Sequence, residues 1–194
     1  AADLNGDGRS DLAVANFSSN SVSILLGQAD GTFRVQSTIL GTASGAFDIA
    51  VGDVDNDGDI DIFTSNLLDR NISIFRNNGP DPVTGDVRFQ PLENIGLAQF
   101  SLAQRMPIVV GNFDNDISGP NGSGTIDLVT IPQRTDTLYV LKNTLVNGAH
   151  RVALTGLNTV NGIDFIIKPA ILPPSFEPIN NPLPIFEDAA EQTI

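Results

Sequence analysis

Oxygen-bearing side chains fall at every second position in two short stretches of this chain, Asp3, Asn5 and Asp7, then Asp53, Asp55 and Asp57, and a third stretch, Asn112, Asp114 and Asp116, keeps the alternation. That spacing suits a hard cation. Calcium takes roughly six to eight oxygens at about 2.3 to 2.6 Å, and a tightly curling loop aims side chains one, three and five places along at a single point. Gly8 and Gly58 stand sixth, where the chain must bend. The seventh residue, Arg9 or Asp59, offers a backbone carbonyl, so any side chain is allowed there. The ninth, Asp11 or Asp61, offers a closing carboxylate, and in the third stretch Asp127 takes that part.

Asp, Asn and Gly also favour plain solvated turns. Against that reading, four or five carboxylates packed so closely without a cation repel one another. In the third loop Asn112 replaces an acid and an insertion displaces Asp127, so a turn without metal stays open there. An EF-hand or a dockerin would need an acid at the twelfth loop position and a helix after it, but Val14 and Thr64 stand at that place.

Composition agrees with acidic loops. The 194 residues carry 23 acids, 19 of them Asp, against 10 bases, for a formal net charge of −13. Phosphate backbones and anionic lipid surfaces would be repelled, which argues against nucleic acid as a partner. No apolar run approaches the ~20 residues of a membrane-spanning helix. The absence of Cys excludes disulfides, thiolate metal sites and cysteine nucleophiles. His150, the single histidine, stands in GAHRV with no Ser/Asp arrangement of catalytic spacing, and the acids outside the loops, such as Asp48, Glu93 and Asp136, show no patterned pairing. Carboxylates neutralised by calcium are poor acids and bases, so no enzymatic activity is expected. The start at Ala1, already inside the motif, suggests a fragment.

The elements that must position these loops repeat. DLNGDGRSDLAVAN from Asp3 to Asn16 and DVDNDGDIDIFTSN from Asp53 to Asn66 lie 50 residues apart, and the same offset carries Val22 onto Ile72 and Leu25 onto Phe75. The third copy starts at Gly111 and regains register at Asp127 and Leu138 after an insertion in the stretch ISGPNGSG. Strands are expected over Leu12–Ala15, Val22–Leu26, Phe47–Val51, Ile72–Phe75 and Leu138–Leu141, with a fourth strand of each unit near Phe33, Phe89 or Val152. Alternation in SVSILL and NISIF favours half-buried strands. Four short strands recurring every ~50 residues is the cadence of a propeller blade. The expected fold is therefore all-β, a partial β-propeller of about three four-stranded antiparallel blades with calcium-binding loops.

On these residues the chain resembles the FG-GAP and VCBS repeats of integrin-like and bacterial propellers. Gly52 to Asn66 carries the signature most closely, joined by Asp3 to Asn16 and by Asp30 to Phe33. The Phe-Gly and Gly-Ala-Pro pairs that name the family are not plainly present, which fits the bacterial branch better. The resemblance implies calcium between the first two strands of each blade and an extracellular or cell-surface setting.

Residues 1–153 are expected to hold the blades. Residues 154–175 read as a degenerate strand and a Pro-rich linker. Residues 176–194 resemble the opening of a cadherin-like or immunoglobulin-like module, or form a disordered acidic tail. The role expected is a non-catalytic calcium-binding module of a large surface protein, adhesive toward a carbohydrate or protein ligand and flanked by further repeats. A purely structural spacer and an accessory propeller of a polysaccharide-degrading enzyme are the alternatives. Tyr139 and Phe100 are the aromatics weighed for a sugar site, against the core packing that most Phe residues find.

Overall fold

A computed structural model describes residues 1–36, 40–96, 105–113, 125–133, 137–146, 149–152 and 160–161. The chain divides into two units, Ala1–Ile163 and Asp164–Ile194, and every described residue lies in the first. Of the segment expected as a degenerate strand and linker, residues 154–175, only 160–161 are described, and the rest of it lies outside the described residues, as do the tail from 176 to 194 and Asp114, Asp116, Asp136 and Phe100.

All described regular structure is β, and every ladder is antiparallel. In the first blade, β1 (Leu12–Asn16) pairs with β2 (Ser21–Gly27), whose other edge carries β3 (Phe33–Val35) and β4 (Leu40–Gly41) in succession. The second blade has the order β10-β7-β6-β5, from Glu93–Gly96, Asn71–Phe75, Asp61–Asn66 and Ala46–Gly52. The third has β11 (Ile108–Gly111), β12 (Asp127–Thr130), β13 (Thr137–Leu141) and β16 (Val160–Asn161). This is the expected all-β, partial-propeller plan. One pair of the first blade's opening strand is present, since Ala2 bridges Asp11 as Gly52 pairs with Asp61 and Gly111 with Asp127.

The turns repeat as well. Asn20 and Arg70, each at φ 52°, close the β1–β2 and β6–β7 connections at the same offset as the motif.

Fourth strands differ from expectation in detail. Phe89 lies in β9 (Val87–Phe89), which pairs with β8 (Asn77–Pro80) in a separate ladder, while β10 completes the blade. Only Arg76 separates β7 from β8, so each hairpin prolongs its third strand beyond the sheet. The third blade repeats this with β14 (Asn143–Val146) and β15 (Ala149–Val152). NNGP and NTLV carry Asn, Gly or Pro, which are depleted in strands, and so they give little strand signal on their own.

The blades stack through two apolar cores. Leu4, Val22, Ile24, Leu26 and Leu40 of the first blade meet Ile62, Phe75 and Val87 of the second. Val54, Phe63, Ile72, Ile74 and Ile95 of the second meet Met106, Ile108, Leu128 and Leu141 of the third. The second blade is thus covered on both faces. Consequently β6 is buried at all six positions, and the half-buried alternation expected of NISIF gives way to burial from Ile72 to Phe75. Its polar residues are accommodated by hydrogen bonds: Asn66 Nδ2 donates to Ser73 Oγ at 2.8 Å, and Ser73 Oγ donates to Asn94 Oδ1 at 2.7 Å. Tyr139 packs against the second core.

Candidate metal centre

Each acidic loop spans the connection between the first and second strands of its blade, and the first two share one internal geometry. Asp3 accepts the N–H of Asp7 (3.1 Å) and of Gly8 (2.8 Å), while Asp53 accepts those of Asp57 (3.1 Å) and Gly58 (3.0 Å). Asp7 and Asp57 each take the N–H two residues on, at 2.9 Å. Gly8 and Gly58 have positive φ, 81° and 97°, so glycine meets the expected bend. Gly6 and Asn56 also share the left-handed region.

The closing aspartates carry a geometry that repeats in all three blades. Asp11 accepts the N–H of Leu4 and of Gly27, both at 2.8 Å. Asp61 accepts those of Val54 and Asn77, both at 2.7 Å. Asp127 accepts those of Phe113 and Asn143, both at 2.9 Å. All three are fully or almost fully buried. Each therefore ties the second residue of its loop to the end of the third strand, whatever else it binds.

Loop two brings three acids together. Carboxylate oxygens of Asp53, Asp55 and Asp61 lie within 4.8 Å of one another. Asp57 and Asp59 stand outside this cluster, and the Asp59 carboxylate lies beside Gly79. Asp55 Oδ1 is buried with no hydrogen-bond partner, and its other oxygen receives Arg76 Nη1 at 3.3 Å. Burial, then the charge of Asp57, raises the Asp55 carboxyl above its ordinary range, with Arg76 opposing. Asp59 is raised by the same two causes in the same order. Asp61 is pushed up to about 7, chiefly by burial and further by Asp55 and Asp57, against the two N–H bonds that favour its charged form. An all-oxygen cluster in which burial and crowding make Asp55 and Asp61 resist ionising fits a hard cation.

Loop one differs at the third and seventh places. Asn5 there is neutral, with Nδ2 donating to Asp7 Oδ2 at 3.0 Å. Arg9 does more than present a carbonyl: its guanidinium pairs with Asp7 and its Nε donates to Gly27 O at 2.9 Å. In loop three, Asn112 is exposed and Asp127 buried, and the ligands expected between them lie outside the described residues.

Sequence reasoning passed over two sets of residues around these loops. Asn77 Nδ2 donates to Leu4 O (2.7 Å) in the preceding blade and to Ile60 O (3.0 Å) in its own. Asn143 Nδ2 donates likewise to Val54 O, at 2.6 Å. The signal was present, since Arg76-Asn77 and Lys142-Asn143 follow third strands at the offset of 66 that relates Asp61 to Asp127. The second set is Arg76 with Glu93, joined at 3.1 Å.

The repeat unit is thus defined by its loop, its strands and its closing aspartate. Residues 3–64 match the family model of the FG-GAP-like repeat. The matched FG-GAP-like segment covers loop one, the first blade, and the second blade as far as β6. No match was found among curated proteins or among solved structures. Among the described residues no helix is long and apolar enough to cross a membrane.

Proposed function

We propose that the blades form a calcium-stapled, non-catalytic module of a large extracellular or cell-surface protein, adhesive toward a carbohydrate or protein ligand. The observation that carries the metal reading is the convergence of Asp53, Asp55 and Asp61, with Asp55 Oδ1 buried and unpartnered. Bound calcium would supply the positive charge that these carboxylates lack. The chain's own part is to fix the oxygens: backbone N–H groups hold Asp53 and Asp61 in place, and the bend at Gly58 returns the chain to β6. The side chains of Asp3, Asn5, Asp7 and Asp11 and the carbonyl of Arg9 form the corresponding set in loop one, while Asn112, Asp114, Asp116 and Asp127 form that of loop three. In loop two, Asp57 adds a further carboxylate and Asp59 its carbonyl. Repeats of this family generally lack catalytic function and usually occur in extracellular proteins, which supports both the role and the setting.

An open cleft of about 750 Å³ beside the β8–β9 hairpin is where the ligand-binding reading, as against a spacer role, places its ligand. Its walls mix Phe89 and Leu92 with polar and charged side chains such as Asp81 and Arg88. Equilibrium dialysis against calcium tests the metal, and a glycan array tests the ligand class. Saturable calcium uptake and binding of defined sugars support the reading. Dialysis without uptake removes the metal, and an array without a hit turns the search to protein ligands.

A further inference from the structure

Arg76 is the one described side chain that bridges loop two to the outer strand of its blade. Its side chain is 14% exposed, with Nη1 3.3 Å from Asp55 Oδ2 and Nη2 3.1 Å from Glu93 Oε2. The matching position in the first blade, 50 residues earlier, is Leu26, and there the third loop residue is the neutral Asn5. An acid at that loop place is thus accompanied by a cation at the strand end, and a neutral amide by an apolar residue. In the third blade the same two places are Asp114 and Lys142, again an acid with a cation.

We propose that Arg76 is a built-in counter-ion that sets the calcium affinity of loop two: it holds Asp55 when no cation is present and opposes the entry of one, with Glu93 as its second seat. This rests on the calcium reading above. A dication beside the guanidinium meets like charge, and at about 6 Å in a water-like medium that repulsion alone changes affinity roughly tenfold. Without a cation the guanidinium relieves the crowding of Asp55 by Asp53 and Asp57. Arg76 therefore trades cation affinity for stability of the empty loop. Leu26 leaves loop one without such a guard, and there Arg9, on the loop itself, pairs with Asp7 instead.

The test compares wild type with Arg76→Leu, the residue of the first blade, and with Glu93→Gln, a change on an exposed edge strand that leaves the core untouched. Calcium isotherms and melting in chelator are both read. Arg76→Leu should tighten the loop-two site by about tenfold at low salt, and less in about 1 M salt where screening shortens to ~3 Å. It should also lower melting in chelator more than melting in calcium. Glu93→Gln should weaken the site, because Arg76 then leans on Asp55 alone. Equal loss of melting temperature in both conditions with unchanged affinity would make Arg76 merely structural and overturn the proposal. Should Arg76→Leu fail to fold, the Glu93→Gln isotherm decides: weaker binding supports the proposal and unchanged binding overturns it. A wild-type isotherm with no calcium binding would remove the metal reading and this inference together, whereas binding that ignores both substitutions removes the inference alone.

Discussion

The side-chain amide of Asn77 reaches out of its own blade and donates, at 2.7 Å, to the backbone carbonyl of Leu4 in the loop of the blade before it. Its own N–H is meanwhile held by Asp61 at 2.7 Å, and Leu4 N–H by Asp11 at 2.8 Å. Asn143 repeats the arrangement one blade on, between Val54 O and Asp127. A hydrogen-bonded chain thus runs from Asp11 through Leu4, Asn77, Asp61, Val54 and Asn143 to Asp127. It links the three acidic loops through buried backbone and fixes how each blade sits on the next.

Asn77→Ala should therefore destabilise the protein by about 2 to 3 kcal/mol, because it leaves two carbonyls without their donor in a buried place. Asn143→Ala should cost less, about 1 kcal/mol, since Asn143 Oδ1 already lacks a partner. Urea unfolding at fixed calcium measures both. Equal effects, or none, would mean that the chain of bonds does not hold the blades together.

Position 27 shows why the first blade lacks this arm. A Cβ on Gly27 would lie 2.4 Å from the backbone oxygen of Ser10. Gly27→Ala must displace the loop and with it the bond from Gly27 N–H to Asp11, at an expected cost of about 1 to 3 kcal/mol. Gly41→Ala, which meets open space, serves as the neutral comparison in the same melting experiment. A silent Gly27→Ala would contradict the close packing of loop one on β2.

The loop-two carboxyls give a pH dependence whose sign is fixed by their upward shifts. Asp61, pushed up to about 7, holds a proton in the folded protein that the unfolded chain has released. Its favourable contribution is complete below the ordinary carboxylate range near 3.9 and is lost as pH rises through about 7. Asp55 and Asp59 shift in the same direction and add to the effect. Calcium-stripped protein should lose melting temperature between about pH 4 and pH 7, and calcium should flatten the slope. A stripped protein that gains stability across that range would show that these groups are not crowded.

Much of this was legible in the sequence, for physical reasons that differ by element. The 50-residue offset and the strands at Val22–Leu26 and Ile72–Phe75 were readable because apolar runs were bounded by Asn, Gly and Asp, and the structure places β2 and β7 on them. The acidic alternation located loop two, yet spacing gave no means of separating Asp53, Asp55 and Asp61, which converge, from Asp57 and Asp59. Leu4 and Val54, which stand between oxygen-bearing residues of the loops, are 2% and 1% exposed, because stacking of neighbouring blades decides their burial and loop spacing does not reveal it. The β8–β9 hairpin stayed hidden because Asn77, Gly79 and Pro80 lack strand preference, and only pairing with Val87–Phe89 makes them one. The Asn77 arm and the Arg76 bridge join residues far apart in sequence, which local pattern does not reveal.

Calcium linkage tests the central claim most directly. With a dissociation constant of about 0.1 mM and ~2 mM calcium, each occupied site contributes roughly 1.8 kcal/mol, or about 5 °C for a domain of this size. The measurement is melting by circular dichroism in excess chelator and in millimolar calcium, for wild type and for Asp55→Asn. The account predicts a calcium-dependent rise in the wild type that shrinks in Asp55→Asn. The same melting temperature with and without calcium in both proteins would contradict it, and the acidic loops would then be turns held by hydrogen bonds alone.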